Sequence, residues 1–227
     1  MTTFFIGVVV LLCAAGFLWL AFGKTDQQEA TKRQELIEPL LAFSRQHGFE
    51  TLPDVEKNSV WTTLKGYIPA GPVRSAFTST RDPDPELIAA GTIQNSRAYA
   101  LLKQSVHHQS SGRKRYTAGL FLERPMLSGE LLAARQSAMN AVSVLGSDWQ
   151  QVAQVGDSIA YARTGTMNPE KIDQILGILG RFSDSPLTAV FKPDGFLVYT
   201  EKVGEAPRSA KEYERLRQAA DALLQEI

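Results

Sequence analysis

Nineteen consecutive residues near the amino end, Phe4 to Phe22 (FFIGVVVLLCAAGFLWLAF), contain no charged or strongly polar side chain. As a helix rising about 1.5 Å per residue, such a run spans roughly 28 Å, close to the roughly 30 Å hydrocarbon core of a bilayer. Twelve of the 19 are Phe, Ile, Val or Leu. At roughly −0.3 to −0.6 kcal/mol each, these favour insertion by several kcal/mol as an upper bound. The 205 residues that follow carry all 48 charged side chains. The pattern predicts one membrane span, in contact with the lipid bilayer through residues 4–22, followed by one soluble domain.

The run reads as a signal-anchor and not as a cleaved signal. The preceding Met1-Thr2-Thr3 supplies no basic residue, and the apolar stretch exceeds the roughly 7–15 residues of a secretory core. Ala21 and Gly23 are the pair that cleavage would use. Leu12 stands before Cys13 where a lipid-attachment signal would have a small residue. Lys24, Lys32 and Arg33 follow the span and no basic side chain precedes it, so the positive-inside rule predicts a single-pass protein of the cell membrane with its soluble domain in the cytoplasm. The expected division is an anchor over 1–23, a membrane-proximal helix over 24–48 and a soluble domain over 49–227.

Charge and cysteine content narrow the functional classes. Lys+Arg and Asp+Glu both number 24, for a net charge of zero. That argues against general nucleic-acid binding, which needs a basic face to displace phosphate counterions. The single cysteine, Cys13, lies in the apolar run, so the soluble part has no intrachain disulfide.

Along the chain, Thr25 to His47 has the apolar spacing of a helix, Thr25 and Gln28 the spacing of a capping box, and Gly48 the place of a left-handed cap. Pro39 conflicts with this, because a proline in mid-helix removes a hydrogen bond. Residues 49–85 are rich in turn formers; within them Val60–Ile68 reads equally as strand or short helix, and Val73–Thr80 as a weak strand. Leu87–Gln94, Arg97–His107 and Arg115–Glu123 read as strands; the middle one has equally the spacing of a helix and is read as a strand because its neighbours look antiparallel. Leu131, Leu132, Ala134, Arg135, Ala138, Met139, Val142 and Leu145 fall at helical spacing and predict a helix over 129–145. Residues 148–163 read as a hairpin about Gly156-Asp157. Asn168-Pro169 opens a helix reaching about Phe182. Leu187–Val203 is a hairpin about Pro193-Asp194-Gly195, and Ser209–Ile227 is a helix. The expected fold is α+β: an antiparallel sheet built from hairpins with three to four helices packed against one face, preceded by one N-terminal transmembrane helix.

No motif carries catalysis on its own. His107 and His108 are neighbours on a predicted strand end and point to opposite faces; His47 is the third histidine, and this is too few ligands for an ordinary zinc site. No nucleophile elbow, Walker loop or dinucleotide-binding glycine pattern is present. Asp148, Asp157 and Asp184 lie by predicted loops, and Tyr161 and Arg163 share one strand face. No cofactor or metal is expected. Arg113, Lys114 and Arg115, beside Gly112 and two serines, form a basic loop suited to phosphate or anionic lipid headgroups, where each cation near a membrane adds about 1 kcal/mol. A solvated hairpin loop explains the same residues. The reading is a non-enzymatic interaction or scaffold module held at a membrane with a protein partner; the alternative is a membrane-bound hydrolase or transferase.

Overall fold

The computed structural model describes residues 28–67, 84–106, 114–135, 149–164, 168–182, 184 and 187–227. The apolar run 4–22, Cys13, the weak strand 73–80, His107, His108, Arg113, Asp148 and the 136–145 half of the helix expected over 129–145 lie outside them. By its contacts the chain divides into two units, Met1–Glu38 and Pro39–Ile227. Among the described residues no helix is long and apolar enough to cross a membrane.

Among the described residues the fold is α+β, with a nine-stranded sheet and four helices. Helix α1 is described from 28 to 47. It is followed by β1 (Glu50–Thr51), α2 (Asp54–Leu64), β2 (Leu87–Ile93), β3 (Ser96–Val106), β4 (Lys114–Leu122) and β5 (Glu130–Arg135). Then come β6 (Gln150–Val155), β7 (Ser158–Thr164), α3 (Pro169–Gly180), β8 (Thr188–Lys192), β9 (Gly195–Val203) and α4 (Lys211–Glu226). The strand order is β1-β2-β3-β4-β9-β8-β5-β7-β6, and every neighbouring pair is antiparallel. Because β5 is antiparallel to both β7 and β8, those two run parallel with β5 between them. Together with α3 they form a split βαβ unit.

The register lays out two rows of side chains across the sheet. Ala89, Ala100, Leu120, Val198, Ala189, Ala133 and Ala160 stand opposite one another from β2 to β7, and all are fully buried. One residue along, Tyr99, Phe121, Leu197, Val190, Leu132 and Tyr161 make the row on the other face. That second face packs against Trp61 and Leu64 of α2 and against Tyr67. On the alanine-rich face the small side chains leave room for α3 and α4, which bury Ile175, Leu176, Leu216 and Leu223. Tyr213 of α4 donates to the Leu101 carbonyl at 3.2 Å and its ring lies 5.6 Å from that of Phe43 on α1.

This corrects the expectation that all helices share one face. Strands apolar on both sides must be covered on both sides, and α2 covers the second. It also corrects the helix expected from residue 129 onward: Glu130–Arg135 is the strand β5. Leu131, Leu132, Ala133 and Ala134 are buried in succession, two toward each face, and a short apolar run of that kind does not distinguish a doubly covered strand from a helix. The stretch around Val60 is settled as the end of α2, with Trp61 and Leu64 buried.

Other local expectations hold. Residues 28–47 are helical through Pro39. Leu40 and Phe43, both fully buried, each stabilise by about 1.5–3 kcal/mol against the roughly 3 kcal/mol cost of an interior proline. Gly48 ends the helix at φ +68°. The Asn168 side chain accepts from the Glu170 N–H at 2.9 Å, capping α3. Gln94 and Asn95, at φ 46° and 63°, make the two-residue turn between β2 and β3, the handedness that suits a tight hairpin.

Candidate functional site

The basic loop seen in the sequence is distributed by the sheet. Lys114 and Arg115 open β4, and because they are adjacent on a strand they address opposite faces. Arg115 lies 3.8 Å from Glu201 on β9. Lys114 stands on the α4 side and donates to Gln104 Oε1 at 3.4 Å. Its own carbonyl accepts from Gly204 N–H at 2.8 Å, and its neighbour Tyr116 is paired with Lys202.

That pairing brings the start of β4 beside a second basic segment about ninety residues later in the sequence. Where β9 runs out and α4 begins, Lys202, Arg208, Lys211 and Arg215 line an open cleft of about 370 Å³ together with Glu205 and Glu212. Lys211 and Arg215 are one helical turn apart and so share a face of α4. Lys202 holds Glu212 at 2.8 Å, a pair whose carboxylate is only 11% exposed. Arg208 is 3.8 Å from Glu205, and Arg215 is 3.0 Å from Asp184, a carboxylate 80% exposed. Among the described residues Lys211 has no ion-pair partner. The signal for this cleft in the sequence is the Lys211/Arg215 spacing, which is equally that of the wet face of an amphipathic helix.

The remaining candidates are separated. His47 contacts the Glu214 carboxylate, joining the end of α1 to α4. Asp157, in the β6–β7 turn, is 3.9 Å from Arg135. Arg163 reaches Glu130 at 3.3 Å, while Tyr161, on the same face, packs at the edge of the α2 cluster. Among the described residues no three His, Cys, Asp or Glu side chains converge as metal ligands.

Buried polar groups serve packing. Lys103 lies inside β3 with its Nζ 5.0 Å from the Trp61 ring centroid, a cation–π contact that eases burial of the charge. The Tyr67 hydroxyl donates to the Asp194 carboxylate, and burial, then that hydrogen bond, push its ionisation far above the ordinary phenol range. Burial likewise raises Tyr199 and Tyr213. Phenols shifted this way stay protonated and act as donors, whereas acid–base catalysis favours groups that titrate near the working pH.

No protein-family model matches the chain, and no curated protein matches it by sequence. Among solved structures it is similar to the crystal structure of the mycobacterial trehalose monomycolate transport factor A, TtfA, with a TM-score of 0.53 and 12% sequence identity over 85% of this chain and 96% of that one. At that identity the likeness is one of fold: a large antiparallel sheet with packed helices, spanning nearly the whole of the other chain.

Proposed function

We propose that this chain is a single-pass, membrane-anchored interaction module without catalytic activity of its own, acting as an accessory to transport at a cell envelope. The observation that carries the reading is the fold, shared over 85% of the chain with a protein named as a transport factor. The 19-residue apolar run supplies the tether in this proposal, and Lys24, Lys32 and Arg33 support a domain on the cytoplasmic side. The division into anchor 1–23, membrane-proximal helix 24–48 and soluble domain 49–227 belongs to the same reading. So does contact of Arg113, Lys114 and Arg115 with anionic headgroups, which Lys114 supports by lying beside a second group of cations.

Among the described residues the ionisable candidates are scattered, which supports a binding role over the hydrolase or transferase alternative, since a reaction centre needs its acid, base and nucleophile within hydrogen-bond reach of one another. The test is crosslinking of the full-length protein in the membrane, followed by affinity capture in detergent. A reproducible membrane-protein partner, absent when residues 49–227 are removed, is the expected result. Turnover of a screened substrate with no captured partner would overturn the reading.

A further inference from the structure

We infer that the cleft between the end of β9 and the start of α4 is a binding site for a phosphate-bearing anion, held by Lys202, Arg208, Lys211 and Arg215. Four cations line it with two carboxylates, and Asp184 pairs with Arg215 from outside the lining, which leaves an excess of one positive charge in a chain whose overall charge is zero. The cations come from the end of β9 (Lys202), the loop that follows it (Arg208) and the first turns of α4 (Lys211 and Arg215). The reversal of the chain from strand to helix sets them around one space. A volume of about 370 Å³ falls at the low end of the roughly 300–1,000 Å³ of small-ligand pockets.

The carboxylates already present do not satisfy this charge. Glu205 is 63% exposed and 3.8 Å from Arg208, and Asp184 is 80% exposed beside Arg215. Exposed pairs of this kind contribute little and exchange readily for a stronger anion. A phosphate group offers several acceptor oxygens and up to two negative charges, and arginine matches it with two parallel N–H groups. Glu212 is the exception: it is mostly covered and tightly held by Lys202, so it stays in place and orients the Lys202 ammonium toward the cleft. Lys211, without an ion-pair partner among the described residues, is free to take the anion. The same chemistry is presented by a lipid headgroup and by a soluble phosphate compound.

The test uses the full-length protein in nonionic detergent, titrated calorimetrically with inorganic pyrophosphate and, separately, with a short-chain phosphatidylglycerol. Arg208→Gln, on an exposed loop, and Lys211→Gln each remove one cleft cation. Lys65→Gln, an exposed site after α2 on the opposite side of the sheet, removes one charge elsewhere. Saturable binding that weakens about fivefold or more in both cleft variants, with Lys65→Gln unchanged, supports the site; a fivefold loss is what one charge-assisted contact carries. Binding of phosphatidylglycerol alone assigns the site to a lipid headgroup, and binding of pyrophosphate alone to a soluble phosphate compound. No saturable binding of either probe, or equal loss in all three variants, overturns the inference. Failure to capture a protein partner leaves these titrations untouched, so the two readings fail separately.

Discussion

The Gly204 N–H donates to the Lys114 carbonyl at 2.8 Å, and this one bond ties the start of β4 to the segment that carries Arg208 and Lys211. Gly204 makes it from φ +83°, a conformation that costs a residue with a Cβ about 1–2 kcal/mol. Gly204→Ala is therefore expected to destabilise the protein by about 1 kcal/mol even though open space surrounds the position, as read by chemical denaturation.

Two other glycines are expected to respond in opposite directions. A Cβ on Gly195 would lie 2.3 Å from the Leu122 carbonyl oxygen, a backbone atom of the adjacent strand that has nowhere to go. Gly195→Ala should cost about 2–3 kcal/mol or prevent folding. Gly177, inside α3, has no atom within 4 Å of the corresponding position. Gly177→Ala should stabilise by about 0.5–1 kcal/mol through helix propensity, and thermal melts of the two variants should move apart.

Leu131 and Leu132 are both buried, at 0% and 2% exposure, because they point to opposite, equally covered faces of β5. Leu131→Ala and Leu132→Ala are each expected to cost about 2–5 kcal/mol. A solvent-tolerant response at either position in denaturant titrations would contradict a strand covered on both sides.

Alkaline pH should unfold the protein. Burial holds Tyr199 and Tyr213 protonated in the folded state well above the ordinary phenol value of 10.0. Above that pH the unfolded chain loses these protons and the folded chain keeps them. The folded state then binds more protons, so stability falls as pH rises. It is complete below about pH 10 and declines above it by about 1.4 kcal/mol per pH unit for each phenol. Tyr199→Phe should reduce that slope in melts recorded from pH 9 to 12, and an unchanged slope would show that this phenol does not drive the loss.

Removing the Asn168 cap is a smaller test of local structure. The side chain satisfies the Glu170 N–H, and Asn168→Ala should cost about 1 kcal/mol, measured by urea titration.

The contrast between what was legible and what was not follows the range of the interactions involved. Asn168-Pro169, Gly48, the Gly156-Asp157 turn and the β8–β9 hairpin were all readable because caps and turns depend on residues a few positions apart. So was the alternation that made β4 a strand, whereas β3 reads equally as a helix and is marked as a strand only by its neighbours. The apolar run 4–22 is likewise a local property, and it alone motivates the membrane tether. The identity of β5 was not readable, because its period is ambiguous until both of its faces are known to be covered. Nor was the separation of α2 from the other helices, which follows from apolar residues on both sides of strands distant in sequence. The cations of the cleft are close together in the sequence, but spacing alone does not separate a lined cleft from a wet helix face. The approach of Lys114 to that corner does depend on the β4–β9 register, and a register between strands some ninety residues apart is set by packing across the whole sheet. Local patterning determined the elements and their caps; the sheet order, and the charges it gathers at one corner, were decided by how those elements cover one another.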